Sequence, residues 1–407
     1  MIYFYRAIYF IFRVITQILN LFMSKKNQSW ITLRSNLDYQ EFDRKGSIWF
    51  HASSGEIEYC KSVITEIRRK NPQTPIILSY SSPSAEKLLF NIKNQLDLIF
   101  PLPWDSPETM SRAIQHLMPS QVIFSRTDFW PEFIYQLKKN KVKTCAISMY
   151  PNITLISRLL YLWLIQDFDL LTTVSQRKSE ELSEVLHREV LTFPDTRFDQ
   201  VFSRLQSPSR VQFSPDGTMR KKIVFASTWP EDEDQILPCL PEILGLNYQV
   251  IICPHEINHT EALFEKIKKY KVLRLSTAAD TQNISSDFDI LLIDKVGFLA
   301  DVYRFTDLAF VGGSFKKKIH SVMEPLCCKN VVFFGPHFKN NPEAAETEKE
   351  GLSFKVSNSF EMMNFIRSQK SDQLQKNQKI IQEYAEKHRG SSILVSQVIL
   401  NTRPKPH

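Results

Sequence analysis

From Ser47 onward, short apolar runs alternate with stretches whose apolar positions recur at helical spacing. In the first half the runs are SIWFHA (47–52), PIILSY (75–80), LDLIF (96–100), QVIFS (121–125), KTCAIS (143–148), DLLTTV (169–174) and EVLTF (189–193). Between the first two, Ile57, Cys60, Val63, Ile64 and Ile67 fall on one helical face. Strand-like runs separated by helical patterns predict a parallel sheet with crossover helices. A polar stretch rich in Ser and Pro, about 203–220, breaks the pattern. The alternation then restarts with KIVFAS (222–227), YQVIIC (248–253), KVLRL (271–275), FDILLI (288–293), DLAFVG (307–312) and NVVFF (330–334). The expectation is an α/β protein of two Rossmann-like domains, each binding its ligand at the carboxyl ends of its strands.

The domains expected are a membrane-associated helix over 1–23, a first Rossmann-like domain over 24–205, a linker over 206–220, a second such domain over 221–375, and a helical segment over 376–407, the helical end of the chain either closing the second half or reaching back to the first. Residues Met1 to Met23 are almost wholly apolar, but Arg6, Arg13, Gln17 and Asn20 share one narrow helical stripe. A spanning helix would bury Arg13 near its middle, at a cost of ~2.5 kcal/mol or more. A helix lying in the interface would let both arginines reach lipid headgroups, and Lys25 and Lys26 follow as for a cytoplasmic-face anchor. The plainer alternative is a helix docked on the protein's own core or on a partner subunit.

The chain has 407 residues and a formal net charge of +7, which suits an anionic lipid surface or a phosphorylated substrate. No nucleic-acid motif accompanies the charge, so a nucleic-acid partner is not expected. Six cysteines without paired spacing read as reduced thiols, and neither a metal nor a cofactor is predicted.

Candidate chemistry sits where strands end. The first strand runs into His51-Ala52-Ser53-Ser54-Gly55-Glu56, so Glu56 opens the next helix. There it serves either as a general base or simply as a dipole-complementing residue behind a Ser54 cap. Ser227 and Thr228 end a strand before a helix start at Pro230, either capping it or offering N–H groups to a phosphate. Gly312-Gly313-Ser314 closes another strand, as a tight turn or a place of close nucleotide approach. His320 and Glu324 are four residues apart, a spacing that puts both on one side of a helix and suits an ion pair equally well.

The segment His51 to Glu56 resembles the Gly-Glu segment of the Kdo (3-deoxy-manno-octulosonic acid) transferases. Matches follow in order: Pro103-Trp104-Asp105, Thr127-Asp128-Phe129-Trp130-Pro131, Arg197-Phe198-Asp199, Ala226-Ser227-Thr228, Pro254-His255, Phe310 to Ser314, His320 to Pro325, and Phe334-Gly335-Pro336-His337. The resemblance implies a GT-B fold and an inverting, metal-independent transfer of Kdo from CMP-Kdo to a lipid A precursor at the cytoplasmic side of the inner membrane. It implies Glu56 as base. Ser54, Gly55, Asp128 and Arg197 would meet the acceptor. Ser227, Thr228, Pro254, His255, Gly297, Gly312, Gly313, Ser314, His320 and Glu324 would meet the donor. Departures are Lys318 and Ile319 in place of two glycines, Ser321 for asparagine, Phe298 for glutamate, Arg126 for glutamate, and a first motif one residue short. Lys316, Lys317 and Lys318 would either pair with donor anions or form a solvated loop. A transferase for another nucleotide sugar, and a catalytically silent relative that binds lipid or partners, are the competing readings.

Overall fold

The computed structural model describes the chain except residues 21–24, 36, 38, 40–41, 215–219, 279 and 403–407. The side chains of Gln17, Asn20, Lys25 and Lys26, which carry part of the anchor expectation, lie outside the described residues. By contacts the chain divides into two units, residues 1–200 with 390–407, and residues 201–389.

The first unit is built on seven parallel strands: β1 (Ile48–Ala52), β2 (Ile76–Tyr80), β3 (Leu98–Pro101), β4 (Gln121–Ser125), β5 (Lys143–Met149), β6 (Leu170–Thr173) and β7 (Leu191–Thr192). Their order is β3-β2-β1-β4-β5-β6-β7, so the winding reverses between β1 and β4. Ile48 stands opposite Ile76 on one side and Gln121 on the other. Both faces are covered, which is why the strands read as continuous apolar runs. Trp49, Val122 and Phe124 pack into one layer, and Ile48, Phe50, Ile123 and Cys145 into the other. The predicted face of helix Ile57–Lys70 lies in that second layer.

The second unit repeats the plan with β8 (Lys221–Thr228), β9 (Tyr248–Pro254), β10 (Val272–Arg274), β11 (Ile290–Leu292), β12 (Leu308–Val311), β13 (Val331–Phe334) and β14 (Ser353–Lys355). The order is β10-β11-β9-β8-β12-β13-β14, and the reversal falls between β8 and β12. A register irregularity between Ala226 and Thr228 leaves Ser227 at φ +52.

For two helices the sequence leaves more than one placement open, and both pack on the first unit. The last, Ser391–Thr402, returns to the first unit, where Val395 and Ile399 join the layer of Ile57, Cys60 and Val63. Asp199 holds its start, accepting from Gly390 N at 2.6 Å and Ser392 N at 2.7 Å. The N-terminal helix Ile2–Asn20 docks through Tyr5, Arg6 and Tyr9. Arg6 makes a two-pronged ion pair with the buried Glu132 (2.7 and 2.9 Å), Tyr5 donates to Asp105 (2.6 Å), and the Asp105 N–H donates to Tyr9 (2.8 Å). Arg6 therefore points into the protein, where the sequence reading sent it to headgroups. A buried carboxylate costs more to leave unpaired than a headgroup contact returns. The apolar side faces outward instead, with Phe4 74% exposed and Phe10 67%. No helix among the described residues is long and apolar enough to cross a membrane.

Burial pushes the Asp105 carboxyl up to about 6, against the hydrogen bonds from Tyr5 and the N–H groups of Glu132 and Phe133. A carboxyl whose folded pKa exceeds the unfolded value of about 3.9 binds a proton on folding. Its contribution to stability is complete below about pH 4 and is lost as pH rises through about 6. Asp105→Asn removes this titration. The melting temperature of the wild type minus that of the variant should rise as pH falls from 6.5 to 4 and stay level above 7; a level difference throughout would refute the assignment.

Candidate functional site

Each winding reversal carries a cluster of the predicted residues, at the carboxyl ends of β1 and β4 in one unit and of β8 and β12 in the other. These are the positions where parallel α/β sheets leave a crevice.

In the first unit the chain turns at Ser53-Ser54-Gly55, and Glu56 precedes helix Ile57–Lys70. The Glu56 carboxylate folds back to accept from Ser53 Oγ (2.7 Å) and Ser53 N (3.3 Å), while Ser125 Oγ at the end of β4 donates to the Glu56 carbonyl (2.8 Å). Ser54 does not cap the helix, contrary to the capping alternative. Its hydroxyl accepts from Ser84 at 2.7 Å, and the helix start has no side-chain cap. Gly55 has open space where a Cβ would stand. Burial raises the Glu56 carboxyl above the usual range and Asp128 adds to this, against Ser53 and Arg126. The group thus has the elevated proton affinity a base needs.

Asp128 ends a buried polar chain. Trp49 Nε1 donates to Ser79 Oγ (2.8 Å), and Ser79 Oγ is 2.8 Å from His51 Nδ1. On its other side His51 Nε2 faces Asp128 Oδ2 at 3.1 Å. The contact is close without hydrogen-bond alignment. Burial works to raise Asp128, but His51, Ser81 and Trp130 outweigh it and hold the carboxyl below the usual range. Arg197 pairs with Asp195 (2.7 Å) and stacks over Tyr59 at 4.0 Å, and Arg126 lies over the same ring at 4.7 Å.

In the second unit three rings form a stack: Trp229 against His255 at 4.6 Å and His255 against His320 at 4.5 Å. The Lys316 ammonium lies 3.5 Å from the Trp229 ring centre, while Lys317 and Lys318 are solvated. Burial, with His255 adding, pushes His320 down to about 4, so it is neutral at neutral pH. A cavity of about 230 Å³ opens beside the stack, bounded by Thr228, Trp229, Glu231, Glu256, His259 and Lys316. The glycine loop is close-packed: a Cβ on Gly312 would overlap the Ser227 carbonyl, and Gly313 needs φ +77.

Asp232, which sequence reading passed over, holds this loop. Its buried carboxylate accepts from Gly313 N (2.7 Å), Phe315 N (2.9 Å) and Trp229 N (3.0 Å). The available signal was an acidic residue three positions past Trp229, with Pro230 opening the helix. Three predicted donor residues spend their polar groups internally. Ser314 Oγ donates to Val311 O and accepts from Gly335 N, and Thr228 Oγ1 donates to Glu233 (3.1 Å). Glu324 is paired with Arg204. Its helix begins at Met323, so His320 precedes it and the two do not share a helical face. The Gly297 carbonyl accepts from Arg210. Pro254 is buried at the end of β9, and His255 N donates to Thr228 O at 2.9 Å.

Solved structures with this fold include the UDP-GlcNAc 2-epimerase of Neisseria meningitidis bound to UDP-GlcNAc, with TM-score 0.60 and 12% identity over 88% of this chain and all of that one. The calicheamicin glycosyltransferase CalG4 gives TM-score 0.53 at 11% identity, over 89% of this chain and all of that one. The fold is therefore GT-B, which alone serves more than one chemistry. Residues 32–200 match the family model of 3-deoxy-D-manno-octulosonic-acid transferase. The 3-deoxy-D-manno-octulosonic acid transferase of Aquifex aeolicus is 26% identical, over 78% of this chain and 84% of its own. That of Rickettsia felis is 23% identical, over 77% and 68%. The protein is a glycosyltransferase. Within that class it is similar to the Kdo transferases along most of its length, and residues 32–200 match their family model.

Removing the Asp232 carboxylate strands three backbone N–H donors in a dry loop, where unsatisfied groups cost about 1–3 kcal/mol each. Asp232→Ala should lower the unfolding midpoint more than Asp232→Asn, which retains one acceptor oxygen; equal midpoints in chemical denaturation would remove the loop-holding role.

Proposed function

We propose that the protein transfers Kdo from CMP-Kdo to a hydroxyl of a lipid A precursor at the cytoplasmic face of the inner membrane, with inversion. The observation that carries this reading is Glu56, a partly buried carboxyl of raised proton affinity at the reversal point of the domain related to Kdo transferases. Glu56 takes the proton of the acceptor hydroxyl as that oxygen bonds to the anomeric carbon. The bond from that carbon to the CMP phosphate breaks, and the electron pair leaves with CMP. Ser54, Gly55, Asp128 and Arg197 border the acceptor. On the donor side the ring stack of Trp229, His255 and His320, with Lys316, offers a flat cationic edge to a nucleotide, and Gly312 and Gly313 offer close backbone approach.

The outward apolar side of the N-terminal helix supports membrane attachment. A second element adds to it: helix Leu155–Ile165 leaves Leu155 80% and Ile156 74% exposed. Both helices border one cavity of about 550 Å³, through Ile2 and through Trp163 and Leu164, with Lys138, Lys141 and Lys143 around it alongside Asp167, the partner of Lys138, and Asp169. Exposed apolar surface beside lysines suits an anionic lipid interface.

Purified protein with CMP-Kdo and tetraacylated lipid A precursor should add Kdo mass to the lipid. Transfer only from another nucleotide sugar would replace the donor, and no transfer from any would favour a silent relative. Glu56→Gln should lower kcat about 10²- to 10⁴-fold. Because the base must be unprotonated and burial raises its pKa, kcat/KM should climb with pH along a limb lying above the usual glutamate range; a limb below that range would exclude Glu56. Replacing Phe4, Ile8 and Ile11 with serine should weaken binding to anionic vesicles in flotation, and unchanged flotation would count against the N-terminal helix as anchor.

A further inference from the structure

Arg126 follows the last residue of β4 in the left-handed region, at φ +62, an uncommon conformation for a residue with a Cβ. Its N–H is tied to Ile147 O of β5 at 2.9 Å, which fixes the direction in which the side chain leaves. The guanidinium is carried over Tyr59, in the helix that Glu56 precedes, and toward Tyr150, 5.9 Å from its ring centre. Several other arginines of this unit have carboxylates, as Arg6 has Glu132, Arg68 has Asp97 and Arg197 has Asp195, and two more, Arg34 and Arg188, spend donors on backbone carbonyls. Among the described residues Arg126 has none within ion-pair distance, and its guanidinium's one hydrogen bond is a long 3.5 Å contact to Ser148 O. A guanidinium has five N–H donors in a fixed fork, so most of its capacity here is unspent. Two further cations border the same rings, Arg197 over Tyr59 and Lys178 over Tyr150 at 5.6 Å. Each of these is neutralised by its own carboxylate, Asp195 and Glu181.

We infer that Arg126 is the anion-reading residue of the acceptor site, gripping a phosphate or sugar carboxylate that the acceptor carries near its reacting hydroxyl. The inference rests on the reading of Glu56 as the base, since it is the shared Tyr59 helix that sets the anion beside the accepting oxygen. A fork geometry matches a two-oxygen anion, and such charge-assisted pairs are the strong ones.

The test is steady-state kinetics with three acceptors: the phosphorylated lipid disaccharide, its dephosphorylated form, and the dephosphorylated form bearing one Kdo carboxylate. Arg126→Asn removes the charge with a residue that tolerates positive φ. It should raise the KM of an anionic acceptor about 10- to 100-fold, as loss of a charged hydrogen-bond pair does, and leave the uncharged acceptor within about twofold. The arm that responds identifies the anion as phosphate or carboxylate. Arg126→Lys should recover part of the loss, since it restores charge without the fork. Equal KM changes for charged and uncharged acceptors, or a change confined to the donor KM, would overturn the inference. If the wild type transfers to none of the three, the Kdo-transfer reading fails separately. Ligand-observed NMR with glucosamine 1-phosphate then decides: binding by the wild type that is lost in Arg126→Asn upholds the subsite, and equal or absent binding overturns it.

Discussion

A carboxylate removed from water has to be solvated by the protein, and this chain meets that demand with backbone N–H groups. Asp105 receives the N–H groups of Glu132 and Phe133 together with the Tyr5 hydroxyl, which fixes the helix after β4 and seats the N-terminal helix. Asp232 receives those of Trp229, Gly313 and Phe315, which ties the helix after β8 to the loop after β12. Asp199 receives those of Gly390 and Ser392 and begins the last helix. In each case a segment distant in sequence is located by a single acidic side chain. The two crevices where Glu56 and the ring stack lie are shaped by these attachments as much as by the sheets.

The sheets were legible because parallel strands covered on both faces must be apolar throughout. Thirteen of the predicted runs coincide with strands β1 to β13. β14 escaped because it is three residues, Ser353–Lys355, at an edge, with too little apolar character to stand out. Glu56 was legible as the residue after a strand and before a helix. Asp232 was not, because the groups that give it meaning lie about eighty residues further along the chain. Glu324 illustrates the opposite failure. Its spacing from His320 fitted a helix, but the chain from Gly313 to Val322 is loop, held by hydrogen bonds such as Lys318 N to Gly313 O, and the carboxylate found Arg204 instead.

The amphipathic pattern at the N-terminus left open what its polar residues meet, and for Arg6 the partner is inside the protein. Periodicity shows that polar residues share a face; it does not show what that face meets. Glu132, buried and in need of a cation, decides the matter by taking Arg6 inward. The same logic governs the donor end, where Ser314 and Thr228 satisfy buried neighbours, leaving the stacked rings and Lys316 as the surface a ligand would meet.

The first unit is discontinuous, with the whole second unit inserted between Gln200 and Gly390. During synthesis the helix Ile57–Lys70 is made early, but the residues that cover it, Val395 and Ile399, emerge only at the end. Its apolar flank stays uncovered while nearly two hundred residues of a separate unit are produced and collapse. Contacts of such sequence separation form slowly because loop closure precedes their reward. The layer around helix Ile57–Lys70 can therefore be completed only after the inserted unit has been synthesised.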